Sequence, residues 1–112
     1  MRILLAVLLL ASTHSFASEF SERSCENYSK DDKYRKALDV VAAMVTNSDR
    51  NELCSLPHLM DVHVTSSNIF NLETRREEPH SWVTLHYSEH SCQYFVRDQD
   101  LVVTKKNCYN TW

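Results

Sequence analysis

The chain has 112 residues, 12 Lys and Arg against 15 Asp and Glu, a formal charge of -3, four Cys and no Gly. That is enough for one domain, and it excludes a multidomain enzyme, a collagen-like repeat and a low-complexity polymer. The charge balance fits neither a basic nucleic-acid binder nor an acidic disordered tail.

Met1-Arg2 precedes an apolar run, Ile3 to Ala11, that is too short to span a bilayer, which needs about 20 apolar residues. Ser15 and Ala17 then stand at the spacing of a signal-peptidase site. Residues 1–17 therefore read as a signal peptide and 18–112 as a single exported domain. No second apolar stretch follows, so no membrane anchor is expected after cleavage. The expected address is the periplasm in a bacterium and the extracellular space otherwise.

Ser18 to Asn27 reads as a polar lead-in. Tyr34, Ala37, Leu38, Val41, Ala42 and Val45 then recur at helical spacing, with Ser29 as the expected N-cap and an end near Asn47. Asp49, with Glu52 three residues on, resembles a capping box that opens a short helical turn ended by Pro57. From His58 the period changes to two. Met60, Val62 and Val64 alternate with Asp61, His63 and Thr65. Ser66-Ser67-Asn68 reads as a turn, Ile69 to Thr74 as a weaker strand, and Arg75 to Pro79 as a charged turn. Val83, Leu85 and Tyr87 alternate with Trp82, Thr84 and His86. Ser91–Arg97 and Leu101–Lys106 form a hairpin around Asp98-Gln99-Asp100. The expected fold is α+β: one main helix and a short helical turn on a four- to five-stranded antiparallel meander. Without Gly, the turns must draw on Asn, Asp and Ser.

An even number of cysteines in an oxidising compartment reads as two disulfides. Opposed residues of the last hairpin have numbers summing to roughly 198–200, which pairs Cys92 with Cys108. Cys25 and Cys54 flank the helix and are expected to pair with each other. No CxxC pair is present, and an even count leaves no thiol for catalysis.

The lack of Gly excludes a phosphate-binding loop, a dinucleotide fingerprint and a GxSxG elbow. No metal or cofactor motif is present, and Lys105-Lys106 is too small a basic run for nucleic acid. Asn27-Tyr28-Ser29 fits an N-glycosylation sequon, which matters only in a eukaryotic host. Trp82, Thr84 and His86 are expected on the strand face turned away from the core, and an outward aromatic is an ingredient of a binding hot spot. Arg75 and Arg76 in the charged turn and Trp112 in the tail are accessible enough to reach into a cleft. His63 and His86 are the candidates for an acid–base pair or a metal site.

The helix-then-meander order resembles the cystatin arrangement. The QxVxG segment of cystatin-type protease inhibitors needs Gly, which this chain lacks, and Cys25 precedes the helix, so protease inhibition is not carried over. Size, address and staples are similar to those of small periplasmic immunity and lysozyme-inhibitor proteins of Gram-negative bacteria, which have no active site. The resulting expectation is an exported, non-catalytic binding protein that blocks a toxin or hydrolase, such as a cell-wall-degrading enzyme, by occupying its cleft. The alternatives are a secreted effector acting on a host receptor and a small hydrolase or metal binder using His63 and His86. An exposed strand edge also offers a route to a homodimer.

Overall fold

The computed structural model describes residues 19–110; the expected signal peptide and Trp112 lie outside them. The chain runs α1 (Glu19–Ser29), α2 (Asp32–Thr46), α3 (Arg50–Cys54), β1 (Leu59–Asn71), β2 (Arg76–Tyr87), β3 (His90–Arg97) and β4 (Val103–Asn110). The strands form one antiparallel meander in the order β1-β2-β3-β4. The α+β class is as expected, with four strands.

From Glu19 the polar lead-in is a helix, an element that the sequence reading does not assign there. Ser21, Ser24, Cys25 and Tyr28 lie at i, i+3, i+4 and i+7 and form its inner stripe. That stripe is small and polar, so hydrophobic periodicity does not detect it. Ser21 and Cys25 are buried, and Ser24 Oγ donates to Asp61 Oδ1 at 2.8 Å. Ser29 closes α1 by donating to the Cys25 carbonyl, so it does not cap α2. Asp31 is the N-cap, accepting from the backbone N–H groups of Lys33 and Tyr34. The Asp49 cap of α3 is as expected, accepting from the Glu52 N–H at 3.0 Å.

Helix α2 packs over β2 and β3, while α1 packs along β1. Leu38, Val41, Leu53, Leu59, Val62, Val83, Leu85 and Val96 are almost wholly buried in one core between the helices and one sheet face. An irregularity between Leu59 and Asp61 shifts the register. Leu59 therefore points inward, and Met60, expected beside Val62 and Val64, is 49% exposed.

Ser66-Ser67-Asn68 is not a turn. The β1–β2 ladder runs unbroken through Ser66↔Ser81, Ser67↔His80 and Asn68↔Pro79 to Asn71↔Arg76. The Tyr34 hydroxyl and Lys33 Nζ both bond Ser66 Oγ at 2.8 Å, so contacts from α2 hold a segment that local composition reads as a bend. Of the expected strand Ile69 to Thr74, Ile69 to Asn71 are thus the end of β1 and Leu72 to Thr74 belong to the turn. Arg76 to Pro79 belong to β2, leaving a connection at 72–75.

Both disulfides pair as expected, Cys25–Cys54 and Cys92–Cys108. They fit an oxidising environment. Among the described residues, no helix is long and apolar enough to cross a membrane. Asn47, His58, Arg75 and Leu101 take positive φ. Only Asn47 is one of the expected turn residues; the other three hold a conformation that Gly would adopt more easily.

Candidate functional site

Three regions compete for a functional role. The first is a two-stranded arm. β1 and β2 pair as far as Asn71↔Arg76, whereas β3 joins β2 only at His80↔Arg97. Residues 68–79 therefore extend beyond the sheet as a ribbon, by about 15 Å at the rise of a strand. Its base is fastened by the Asp98 N–H donating to the Pro79 carbonyl at 3.0 Å. Arg97 pairs with Glu78 at 3.4 Å, and Asn71 Nδ2 donates to Glu78 Oε1 at 3.1 Å. At the tip, Asn71 Oδ1 accepts from the Glu73 and Thr74 backbone N–H groups, and Arg75 takes φ 57°. Leu72 is 83% exposed and Phe70 54%. These are two large apolar side chains held in water by a structured turn, the kind of feature that marks an interaction site.

A groove of about 460 Å³ opens at the arm's base. Ile69, Phe70 and Leu72 line one side, and Thr104 and Lys105 the other. His80 lies at its floor, 1% exposed, with Nδ1 bonded to the Glu78 carbonyl and Nε2 to Thr104 Oγ1, both at 2.8 Å. Both ring nitrogens are thus occupied, and His80 fixes the arm's base to β4. Arg97 is also held at its other end by Asp100. The hydrogen bond from Arg97 keeps the Asp100 carboxyl below its usual range, and Asp100 raises the Arg97 guanidinium in turn.

The second region is the sheet face opposite the helices. Trp82 stands on it edge-to-face with Phe95, ring centroids 4.3 Å apart. Trp82 is half-buried, and its indole N–H is shielded from solvent with no hydrogen-bond partner among the described residues. Thr84 and Phe95 beside it are buried. The outward direction of Trp82 and His86 is as expected from alternation, and Phe95 supplies the packing.

The third region is the histidine pair. His86 lies opposite Asp61, and His63 opposite Thr84, so His63 and His86 are diagonal neighbours. His63 Nδ1 shares a 2.8 Å hydrogen bond with the Tyr28 hydroxyl, and His86 Nδ1 shares one with Ser91 Oγ. Each ring is turned toward a different partner. No group of three or more His, Cys, Asp or Glu that could hold a metal occurs among the described residues.

The sequence-derived candidates do not form one patch. Arg75 and Arg76 sit at the arm's tip, Trp82 in mid-strand, and His86 near the opposite end of β2, about 30 Å from Arg76 along the strand. Trp112 lies outside the described residues. Phe70 and Leu72 were missed because Ile69 to Thr74 reads as an ordinary weak strand; the signal available was an apolar pair directly ahead of the charged run. Comparison with protein-family models, curated proteins and solved structures gives no match.

Proposed function

We propose that the protein is an exported, non-catalytic binding protein that blocks a toxin or hydrolase by lodging the β1–β2 arm in the partner's cleft. The observation that carries this reading is the arm itself: a narrow ribbon projecting from a disulfide-stapled body, with Leu72 83% and Phe70 54% exposed at its end. A cleft admits a two-stranded ribbon more readily than a broad sheet face. A pre-ordered tip also loses little conformational freedom on binding, which leaves more of the apolar burial as affinity. Arg75 and Arg76 flank the apolar pair and supply polar contacts at the rim of the cleft, where charged groups set orientation more than affinity.

The test is capture by the oxidised protein from the exported proteins of its own source, followed by an activity assay on whatever enzyme is retained. Phe70→Asp and Leu72→Asp are each expected to weaken capture by about tenfold to a hundredfold, the equivalent of leaving one large apolar side chain out of an interface. Both side chains are exposed, so the melting curves should not move. Capture that survives the double substitution at full strength refutes the arm as the binding element. A retained receptor without enzymatic or toxic activity refutes the inhibitor reading.

A further inference from the structure

The two edges of the sheet are treated differently. At the β1 edge, α1 lies alongside, with Ser24 bonded to Asp61 and Tyr28 to His63. At the β4 edge, the only described element in substantial contact with β4 is β3. Thr104 to Asn110 are all exposed. In an antiparallel pair only alternate residues direct their backbone groups at the neighbour, so β4 presents the remaining N–H and C=O groups outward.

The charges on this edge are one-sided. Lys105 and Lys106 are consecutive, so they stand on opposite faces of the sheet. Lys105 Nζ lies 5.6 Å from the Phe95 ring centroid and Lys106 Nζ 5.6 Å from that of Tyr94. Both stems therefore lie back over β3, so neither covers the outer side of the strand. Neither ammonium forms an ion pair with a carboxylate among the described residues, and β4 contains no acid.

We infer that β4 is a docking edge for an extended acidic segment of a protein partner, which adds to the sheet as a fifth strand. Backbone hydrogen bonds supply the pairing, and two consecutive carboxylates on the incoming strand meet Lys105 on one face and Lys106 on the other. The same lysines disfavour a second copy of this chain, because β4 against β4 sets ammonium groups beside one another across the pair. A bare edge accepts any strand, whereas this edge selects by charge. The inference does not rest on the arm, although Lys105 also lines the groove at the arm's base.

The test uses the oxidised protein, labelled for NMR, and two capped peptides of about eight residues, the length of an ordinary strand. Both alternate Thr and Val; one carries Asp-Glu at its centre and the other Lys-Lys. The expected result is saturable shifts of β4 amides with the acidic peptide, about tenfold tighter than with the basic one and weakened by salt. Lys105→Glu with Lys106→Glu should reverse the order of the two peptides. Should that variant not fold, Lys105→Gln with Lys106→Gln should abolish the preference. Equal binding of both peptides, no shift at millimolar peptide, or shifts confined to the arm overturns the inference. Protection of β4 amides that grows with protein concentration alone also overturns it, in favour of a second copy.

Discussion

Removing the two disulfides one at a time should cost similar global stability but produce different local damage. Cys25–Cys54 closes a loop with a sequence separation of 29, and Cys92–Cys108 one of 16. Loop-closure entropy in the unfolded chain then assigns about 3.6 kcal/mol to the first and about 3.1 kcal/mol to the second. Alanine is the right replacement because Cys25, Cys54 and Cys92 are buried and a serine hydroxyl there would need a partner. With a urea slope of about 1 kcal/mol/M, each pair of substitutions should lower the unfolding midpoint by about 3 M. Locally the two differ. Without Cys25–Cys54, the side-chain ties left to α1 include the Ser21 bond to the Cys54 carbonyl, Ser24–Asp61, Tyr28–His63 and the edge-to-face contact of Tyr28 with Tyr34. At about 1 kcal/mol each, these do not match the entropy of ordering a helix, at about 1–2 kcal/mol per residue. Without Cys92–Cys108, β4 keeps its full ladder to β3. Hydrogen exchange should therefore show α1 amides losing nearly all protection in Cys25→Ala/Cys54→Ala, while β4 stays measurably protected in Cys92→Ala/Cys108→Ala. If α1 remains as protected as the sheet in the first variant, the staple is not what holds that helix and the reasoning is wrong.

Two further outcomes are expected. Arg75→Gly should raise stability by about 0.5–1 kcal/mol, because Arg75 is exposed and pays for a left-handed backbone at φ 57° that Gly adopts freely; thermal melts would read this as a few degrees, and no gain would mean the turn is not strained there. Burial raises the phenol pKa of Tyr94 and Tyr87 above the ordinary value of 10.0, with the Tyr94 charge adding to the rise at Tyr87. The native state then keeps these protons to higher pH than the unfolded chain does, so this contribution is complete below about pH 10 and is lost as pH rises past it. Melts through the alkaline range should fall, with tyrosinate absorbance rising at the unfolding transition; a phenol that ionises freely in the folded protein would contradict this.

The elements that sequence revealed best are those whose cause is local. The apolar stripe of α2, the Asp49 cap and the β3–β4 hairpin with its cysteine pair all follow from spacing alone. The elements it hid depend on partners distant in the chain. α1 is a helix because Ser21, Ser24, Cys25 and Tyr28 meet Cys54, Asp61 and His63, and no apolar period announces it. β1 runs on through Ser66 to Asn68 because β2 and α2 supply partners for residues that in isolation favour a bend. The arm is hidden for the same reason. With β1 cut at Ser66, the exposed pair Phe70 and Leu72 belonged to a minor strand, and the projecting ribbon was not visible. Arg75 and Arg76 are both exposed, but Arg76 opens β2 where a turn is expected, and the apolar surface beside them is the larger feature of the tip.

No residue from Asn68 to Pro79 belongs to the hydrophobic core or packs against it. Folding and recognition therefore place their demands on separate sets of side chains. A substitution of an exposed apolar side chain at the tip, such as Phe70 or Leu72, alters what the ribbon fits and leaves the stapled body's stability nearly unchanged. Such a molecule can drift in specificity as its target drifts, one tip residue at a time, without first acquiring a stabilising change elsewhere. The same separation makes the ribbon a natural graft site, where a foreign turn of similar length would be displayed on a body that does not depend on it.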